Sequence, residues 1–294
     1  MILVVGATGL LGSEICRGLR QSGQPVRALI RENSDPEKVN RLRAAGAEAV
    51  IADLKESSSV LRAYEGISAV ITTASSTFSR QQGDSIESVD RLGHLNLVDL
   101  ANQAGVERFI YVSIPPDLRY DCALFRAKRE VENKLAGSGM GYTVLQANYF
   151  MEVWLGPALG FDFQDGRATI YGDGERPLGW VSYQDVAGFA LDSLWNDGAR
   201  NRVLRIGGPR NVSPHEVTRI FESAFGRSFA LEHVPEQQLL ERYEAATDPM
   251  DKSYAALMLE YGRGCPMDMA ETITVLPRSL TTVEEYALAA RRAS

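Results

Sequence analysis

Gly6, Gly9 and Gly12, spaced three apart, follow directly on the apolar run Ile2-Leu3-Val4-Val5. Glycine at such a place lets a chain turn sharply and lets a ligand or a neighbouring backbone approach where a Cβ would stand. The amphipathic stretch 10–20 comes next. A strand that ends in a glycine-rich turn and becomes a helix presents unpaired N–H groups and the positive end of a helix dipole, which together seat a phosphate. Gly6 makes the turn, Gly9 admits the anion to the backbone, and Gly12 lets the helix pack on the strand. Thr8 adds a hydroxyl donor, and the N–H groups of Leu10 and Leu11 belong to the same cradle. A second strand, 24–30, completes a strand–helix–strand unit of about 30 residues. That context points to a dinucleotide; the alternative is a structural strand–turn–helix without a ligand.

Arg31 stands after the second strand, about 20 residues beyond the glycine turn, where an acid would hold a ribose 2′-hydroxyl. A guanidinium there can fork onto a 2′-phosphate and favour NADPH over NADH. The alternative is a solvated Arg31, with Glu32 taking the hydroxyl. Thr72, Thr73, Ala74 and Ser75 close a later strand. They are small enough for a cofactor to lie against the sheet edge, and their hydroxyls could reach ribose or phosphate; a polar loop is the plain alternative. Lys128 could hold ribose hydroxyls, or serve as an acid/base if burial lowers its pKa. The pairs Lys128/Glu132 and Arg126/Glu130, each four apart, read equally as a solvated, ion-paired helix face. His94, four residues from Asp90, reads as a satisfied helical histidine. Trp154, Tyr171 and Trp180 could line an apolar slot for a planar acceptor or simply pack.

Strand patterns at 49–53, 67–73, 109–113 and 142–146 alternate with helical patterns at 58–64, 84–104 and 123–136. Alternation of this kind predicts a Rossmann-type α/β fold, a doubly wound parallel sheet with helices on both faces and ligands at the carboxyl ends of its strands. After residue 150 the pattern becomes irregular. The segment 154–179 is rich in Gly, Pro and aromatics, 181–194 reads as a helix and 202–206 as a strand. Ser213-Pro214-His215-Glu216 has the chemistry of a helix start. We expect a dinucleotide-binding domain over 1–150, with the chain returning to it near 180–208. A smaller, mainly helical substrate-binding lobe would comprise 151–179 and 209–294.

The chain has 294 residues and a formal net charge of −7, which gives no electrostatic reason to bind nucleic acid or an anionic membrane. It shows neither a bilayer-length apolar run nor an export signal. Cys16, Cys122 and Cys265 lie far apart, which suits a reducing, cytoplasmic setting. His94, His215 and His233 share no metal-ligand spacing, so no metal is expected. The expected partner is a small-molecule substrate, with the protein a monomer or homodimer.

The opening Gly-x-x-Gly-x-x-Gly, with Ala52-Asp53-Leu54 and Tyr111-Val112-Ser113, resembles an extended-type short-chain dehydrogenase/reductase. Phe125-Arg126-Ala127-Lys128, the stretch 142–151 ending in Asn148-Tyr149-Phe150-Met151, and Trp180-Val181-Ser182-Tyr183-Gln184-Asp185-Val186-Ala187 narrow the resemblance to the atypical NmrA-like group. It extends over the chain to about residue 225. That group holds NAD(P)H quinone and dye reductases, isoflavone-reductase-like enzymes, and redox-sensing regulators that bind dinucleotide without turnover. The resemblance implies that Asp53 lies beside the adenine with Leu54 against the ring. It gives Ser113 a carbonyl or nicotinamide to orient and Lys128 an acid/base role. Asn148 would bond the nicotinamide carboxamide, and Tyr149 or Phe150 would pack on the ring. A strand-end carboxylate, a structural serine and core aromatics are the corresponding plain readings. Two positions depart from the pattern. Leu124 stands four before Lys128, where the wider superfamily has tyrosine, and leucine donates no proton; alcohol or sugar chemistry through a tyrosinate is disfavoured. Gln146 stands where the group usually has arginine. The implied activity is NADPH-dependent hydride transfer to a planar electron-poor acceptor, such as a quinone, dye or activated alkene. The alternative is a non-catalytic NAD(P)-binding redox sensor.

Overall fold

A strand covered on both faces is an unbroken apolar run, and β1 (Ile2–Val5) is buried at all four positions. The computed structural model describes residues 1–77 and 81–293. In it the chain divides into two compact units, one of Met1–Ile114, Ala123–Gln146 and Val186–Leu204, the other of Pro115–Cys122, Ala147–Asp185 and Arg205–Ser294.

In the first unit α1 (Leu10–Gln21) buries Ile15, Cys16 and Leu19 on one stripe. β2 (Val26–Ile30), β3 (Glu48–Ile51), β4 (Ala69–Thr72), β5 (Arg108–Ser113) and β6 (Gly141–Ala147) join β1 in parallel pairings. Between them run α2 (Pro36–Ala44), α3 (Ser57–Ala63), α4 (His94–Gln103) and α5 (Ala123–Ala136). The sequence patterns did not reveal α2. Its cap is sound, since Asp35 accepts from the Glu37 N–H at 2.8 Å and Pro36 opens the first turn. Only Val39 and Leu42 are buried, however, so it carries no apolar stripe to read. The single helix expected over 84–104 is instead a π-helical segment, Ile86–Gly93, running into α4. Ser85 and Ser88 cap it reciprocally, each side chain bonding the other's backbone N–H at 3.0 Å. Gly93 is needed there: a Cβ would come within 2.9 Å of both Leu54 Cβ and the Ser88 carbonyl.

In the second unit α6 (Met151–Trp154) precedes β7 (Phe161–Asp162) and β8 (Arg167–Tyr171), and α7 (Tyr183–Trp195) leads back into the first unit. β9 (Arg202–Ile206) completes a seven-stranded sheet of order β3-β2-β1-β4-β5-β6-β9. The remaining elements are α8 (Pro214–Phe225), β10 (Ala230–Val234), α9 (Glu236–Ala245), α10 (Pro249–Arg263), α11 (Ala270–Val275) and α12 (Val283–Ala293). Ser213 caps α8 by accepting from the Glu216 N–H at 3.3 Å. A three-stranded sheet, β10-β8-β7, adds to the helices expected of this part. β7 has two residues and β10 is exposed at four of five positions, so neither leaves an alternating pattern. Trp180, Phe221, Tyr261 and Phe161 lie in this unit's core. Among the described residues no helix is long and apolar enough to cross a membrane, and no group of three or more His, Cys, Asp or Glu could hold a metal ion.

Candidate functional site

The glycine turn sits where β1 gives way to α1. Gly6 has φ +82°, a left-handed conformation suited to glycine, and a Cβ on it would lie 2.7 Å from Thr73 Oγ1 and 2.9 Å from the Ala74 nitrogen. A Cβ on Gly12 would fall 2.1 Å from the Gly6 carbonyl oxygen. Gly9 closes the turn by donating to that same oxygen at 3.0 Å. As N-cap it brings no side chain to the helix start, and the first turn of α1 holds no acidic residue. Thr8 and Leu11 are half-buried while Gly9 and Leu10 are exposed. The wall is backbone, the donors are uncapped and no carboxylate repels an anion, so these residues fit a dinucleotide's diphosphate.

At the carboxyl ends of β2 and β3 the structure forms a cluster of charges. Arg31 Nη1 and Lys55 Nζ each reach Asp84, at 2.5 Å to Oδ2 and 2.5 Å to Oδ1 respectively. Lys55 also lies 3.4 Å from Asp53. Desolvation pulls the Lys55 ammonium down, but Asp84 and Asp53 together outweigh it and hold the group above its ordinary pKa. Asp53 accepts from the Lys55 N–H at 2.9 Å, the geometry of a turn. Leu54 is buried in the first unit's core. Neither Lys55 nor Asp84 was singled out in the sequence. Asp84 stands 53 positions from Arg31, and nothing local announces that meeting.

A second cluster lies deeper. Lys128 is buried, with Nζ 3.8 Å from Asp90 Oδ1 and 5.1 Å from the centroid of the Tyr111 ring. For Lys128 the solvated-face reading therefore gives way to a buried position, while Arg126 on the same helix is exposed. Glu132 takes Arg129 and Gln146, and Glu130 takes Arg91. Asp90 is fully buried; its Oδ2 accepts from the Ser76 N–H at 2.9 Å and the Ser76 hydroxyl at 2.5 Å. Asp90 Oδ1 and the Tyr111 hydroxyl are buried without hydrogen-bond partners among the described residues. Burial pushes the Lys128 ammonium below its ordinary value, and Arg129 adds to that, against the pull of Asp90 and Glu132. His94 is fully buried; burial, then the Lys128 charge, lower its pKa to about 4, against Asp90 and the Val89 carbonyl. Its ring Nδ1 lies 2.8 Å from the Val89 carbonyl and Nε2 3.0 Å from Thr72 Oγ1. A carbonyl only accepts, so Nδ1 carries the proton and Nε2 accepts from Thr72.

The strand-end residues are thus spoken for unequally. Thr72 is fully buried with its hydroxyl turned to His94. Thr73 is half-buried and donates at 3.4 Å to the Val5 carbonyl. Ala74 packs on the core, and Ser75 Oγ lies 3.2 Å from Thr77 Oγ1. Ser113 is buried and accepts from Arg129 Nη2 at 3.2 Å. Asn148, Tyr149 and Phe150 belong to the second unit. There Asn148 donates to the Cys265 carbonyl at 2.7 Å and accepts from the Tyr149 N–H at 3.0 Å. The Tyr149 ring packs edge-on against Trp154, centroids 4.7 Å apart, and Phe150 caps α6 half-buried. Trp180 is buried and donates to the Val212 carbonyl at 2.8 Å; Tyr171 and Trp154 meet Tyr261 edge-on and stacked.

Comparison with known proteins extends these observations. A family model described as NmrA-like matches residues 1–287. A photosystem II assembly factor, Ycf39, of Cyanophora paradoxa is 30% identical over 235 residues, 80% of this chain and 71% of that protein. An NAD(P)H azoreductase of Xenophilus azovorans is 27% identical over 298 residues, 98% of this chain and 97% of that protein. Among solved structures, an NADPH-dependent quinone oxidoreductase from Escherichia coli, complexed with NADPH, superposes with a TM-score of 0.76 at 21% identity. The match covers 99% of this chain and 100% of that one, and at that identity the likeness is one of fold.

Proposed function

The chain belongs to the NmrA-like family, and on that premise we propose that it is an NADPH-dependent reductase of planar, electron-poor acceptors. The observation that carries this reading is the uncapped, glycine-walled start of α1 after β1, with the Arg31 and Lys55 cations following the adjoining strands β2 and β3. Backbone N–H groups over Gly6, Thr8, Gly9, Leu10, Leu11 and Gly12 would hold a diphosphate, and Arg31 and Lys55 a 2′-phosphate. A reduced nicotinamide supplies hydride when bound. Lys128 holds a proton at Nζ in a desolvated setting that makes its ammonium a stronger acid than lysine in water. Ser113 is fixed in place by Arg129 as a candidate orienting group. We assign acceptor binding to the second unit, although its aromatics Tyr149, Trp180 and Tyr261 are themselves packed into that unit's core. Quinones, dyes and activated alkenes fit, because hydride addition to them leaves a stabilised anion that the Lys128 ammonium or water can protonate without a tyrosine. Leu124 in place of the superfamily's tyrosine is compatible with that chemistry and not with simple ketones. The azoreductase relative and the quinone oxidoreductase neighbour support the same class.

A second reading has its own support. The 30% identical relative bears the name of an assembly factor, and Leu124 suits a protein that binds a dinucleotide without turning it over. One experiment separates the two. Binding of NADPH is measured by calorimetry, and its oxidation is followed at 340 nm (about the usual nicotinamide band) with a panel of quinones and azo and triphenylmethane dyes. Binding with turnover supports the reductase. Tight binding with no turnover on any acceptor supports the non-catalytic reading, and no binding of either nicotinamide coenzyme refutes both.

A further inference from the structure

We propose that Asp84 is an internal competitor for the cations that a nucleotide 2′-phosphate needs, and so sets how strongly this chain prefers NADPH over NADH. The inference rests on the dinucleotide reading above. The Asp84 side chain is only 2% exposed, whereas those of Arg31 and Lys55 are 31% and 26% exposed. The carboxylate thus lies beneath two cations that face outward. One carboxylate oxygen takes each cation, both at 2.5 Å, and Asp53 stands 3.4 Å from Lys55. Among these four side chains two cations face two carboxylates, so their charges offset one another.

A 2′-phosphate carries between one and two negative charges at neutral pH. It gains less from Arg31 and Lys55 while a carboxylate already holds them. To be bound well it must draw Arg31 and Lys55 off Asp84, which deprives a buried carboxylate of these two cations, an unfavourable exchange. Asp84 cannot easily withdraw, because the next residue, Ser85, is fixed by its reciprocal 3.0 Å bonds with Ser88 at the start of the π-helical segment. A 2′-hydroxyl makes no such demand, so NADH binds with the three side chains left as they are. Asp84 therefore taxes the phosphate and spares the hydroxyl.

The test is calorimetry of NADPH, NADH, 2′,5′-ADP and 5′-AMP on the wild-type chain and on Asp84→Asn, which keeps the size and one of the two acceptor oxygens but removes the charge. Removing one negative charge beside a nearly doubly charged phosphate in a partly solvated patch should tighten NADPH and 2′,5′-ADP about tenfold. NADH and 5′-AMP should change less than about twofold, and NADPH affinity should become more salt-sensitive. Equal changes for NADPH and NADH, or weaker NADPH binding, overturn the proposal while leaving the dinucleotide reading intact. A wild-type chain that binds neither coenzyme overturns both. Should Asp84→Asn melt early, side-chain NMR of wild-type Arg31, assigned with Arg31→Lys, decides instead. Its Nε resonance should move with 2′,5′-ADP and stay put with 5′-AMP; no movement with either refutes the competition.

Discussion

Replacing His94 by glutamine should flatten part of the acid sensitivity of this protein. In the native chain His94 is fully buried and neutral, donating from Nδ1 to the Val89 carbonyl and accepting at Nε2 from Thr72. Burial, reinforced by the Lys128 charge, brings its pKa from 6.5 to about 4. In the unfolded chain the ring regains its ordinary pKa of about 6.5. Between those two values the unfolded state takes up a proton that the native state refuses, so stability rises with pH across the window and is lost as pH falls through it. A span of about 2.5 units, at about 1.4 kcal/mol each, makes the full loss about 3 kcal/mol. Urea denaturation at several pH values from about 7.5 down to about 4.5 measures it. Glutamine can donate to Val89 and accept from Thr72 but does not titrate here, so carboxylates that protonate in the same range cancel in the difference. The wild-type curve should fall more steeply than that of His94→Gln, most of the gap opening below about pH 6. Parallel curves, or a His94 ring that titrates near its ordinary value by NMR, would refute the placement of this side chain in the core.

Gly12→Ala puts a Cβ 2.1 Å from the Gly6 carbonyl oxygen; it should destabilise the fold by about 2 kcal/mol and abolish the calorimetric signal with NADPH. Lys128→Met should lower turnover of a quinone or dye about a hundredfold while NADPH binding persists. In the proposed role the ammonium donates the proton; with its pKa lowered, wild-type turnover should then decline with rising pH sooner than an ordinary lysine allows, and a flat wild-type profile would remove Lys128 from the chemistry. Arg108 is buried and donates to the Ser193 carbonyl at 2.6 and 3.0 Å and to Thr143 Oγ1 at 2.8 Å, tying α7 to β5 and β6. Arg108→Leu should cost about 3 kcal/mol in urea, with little change expected in coenzyme affinity.

What could be read from the sequence followed from periodicity and from local chemistry. The bounds of α5 and β9 coincide with the patterns at 123–136 and 202–206, because each carries its own apolar signal. The glycine turn was legible because three residues in one loop bear its whole geometry. Contacts between distant segments were not. Arg31 was a plausible cation, yet its carboxylate partner comes from 53 residues away. The spacing of Lys128 and Glu132 suggested an ion pair, but Glu132 turns to Arg129 and Gln146 while Lys128 points to Asp90. Local spacing is silent on this choice, because two helix neighbours become a pair only if no better partner waits across the unit. The π-helical segment was hidden because its buried positions, Ile86, Val89, Asp90 and Gly93, fall at the i, i+3, i+4, i+7 spacing of an α-helix.

Two buried cations in the first unit make an instructive contrast. Arg108 finds carbonyl and hydroxyl acceptors for its donors, and its role is complete in structural terms. Lys128 does not reach the same completion. It stands 3.8 Å from Asp90, beyond hydrogen-bond reach, while Asp90 Oδ1 and the Tyr111 hydroxyl beside it lack hydrogen-bond partners among the described residues. Each buried polar group left unmatched costs on the order of 1–3 kcal/mol, and an apolar replacement for a buried ion pair is often neutral or stabilising. A cluster kept for stability alone would be better served by leucine and phenylalanine, like the core around it. A buried lysine of lowered pKa beside a buried carboxylate is instead what the proposed chemistry would require. The same reasoning makes Asp90 the sharper probe of purpose. If Asp90→Asn and Lys128→Met together restore wild-type stability yet leave a protein that binds NADPH without reducing any acceptor, the cluster serves chemistry. If the double variant turns over normally, the cluster is a packing accident of this chain.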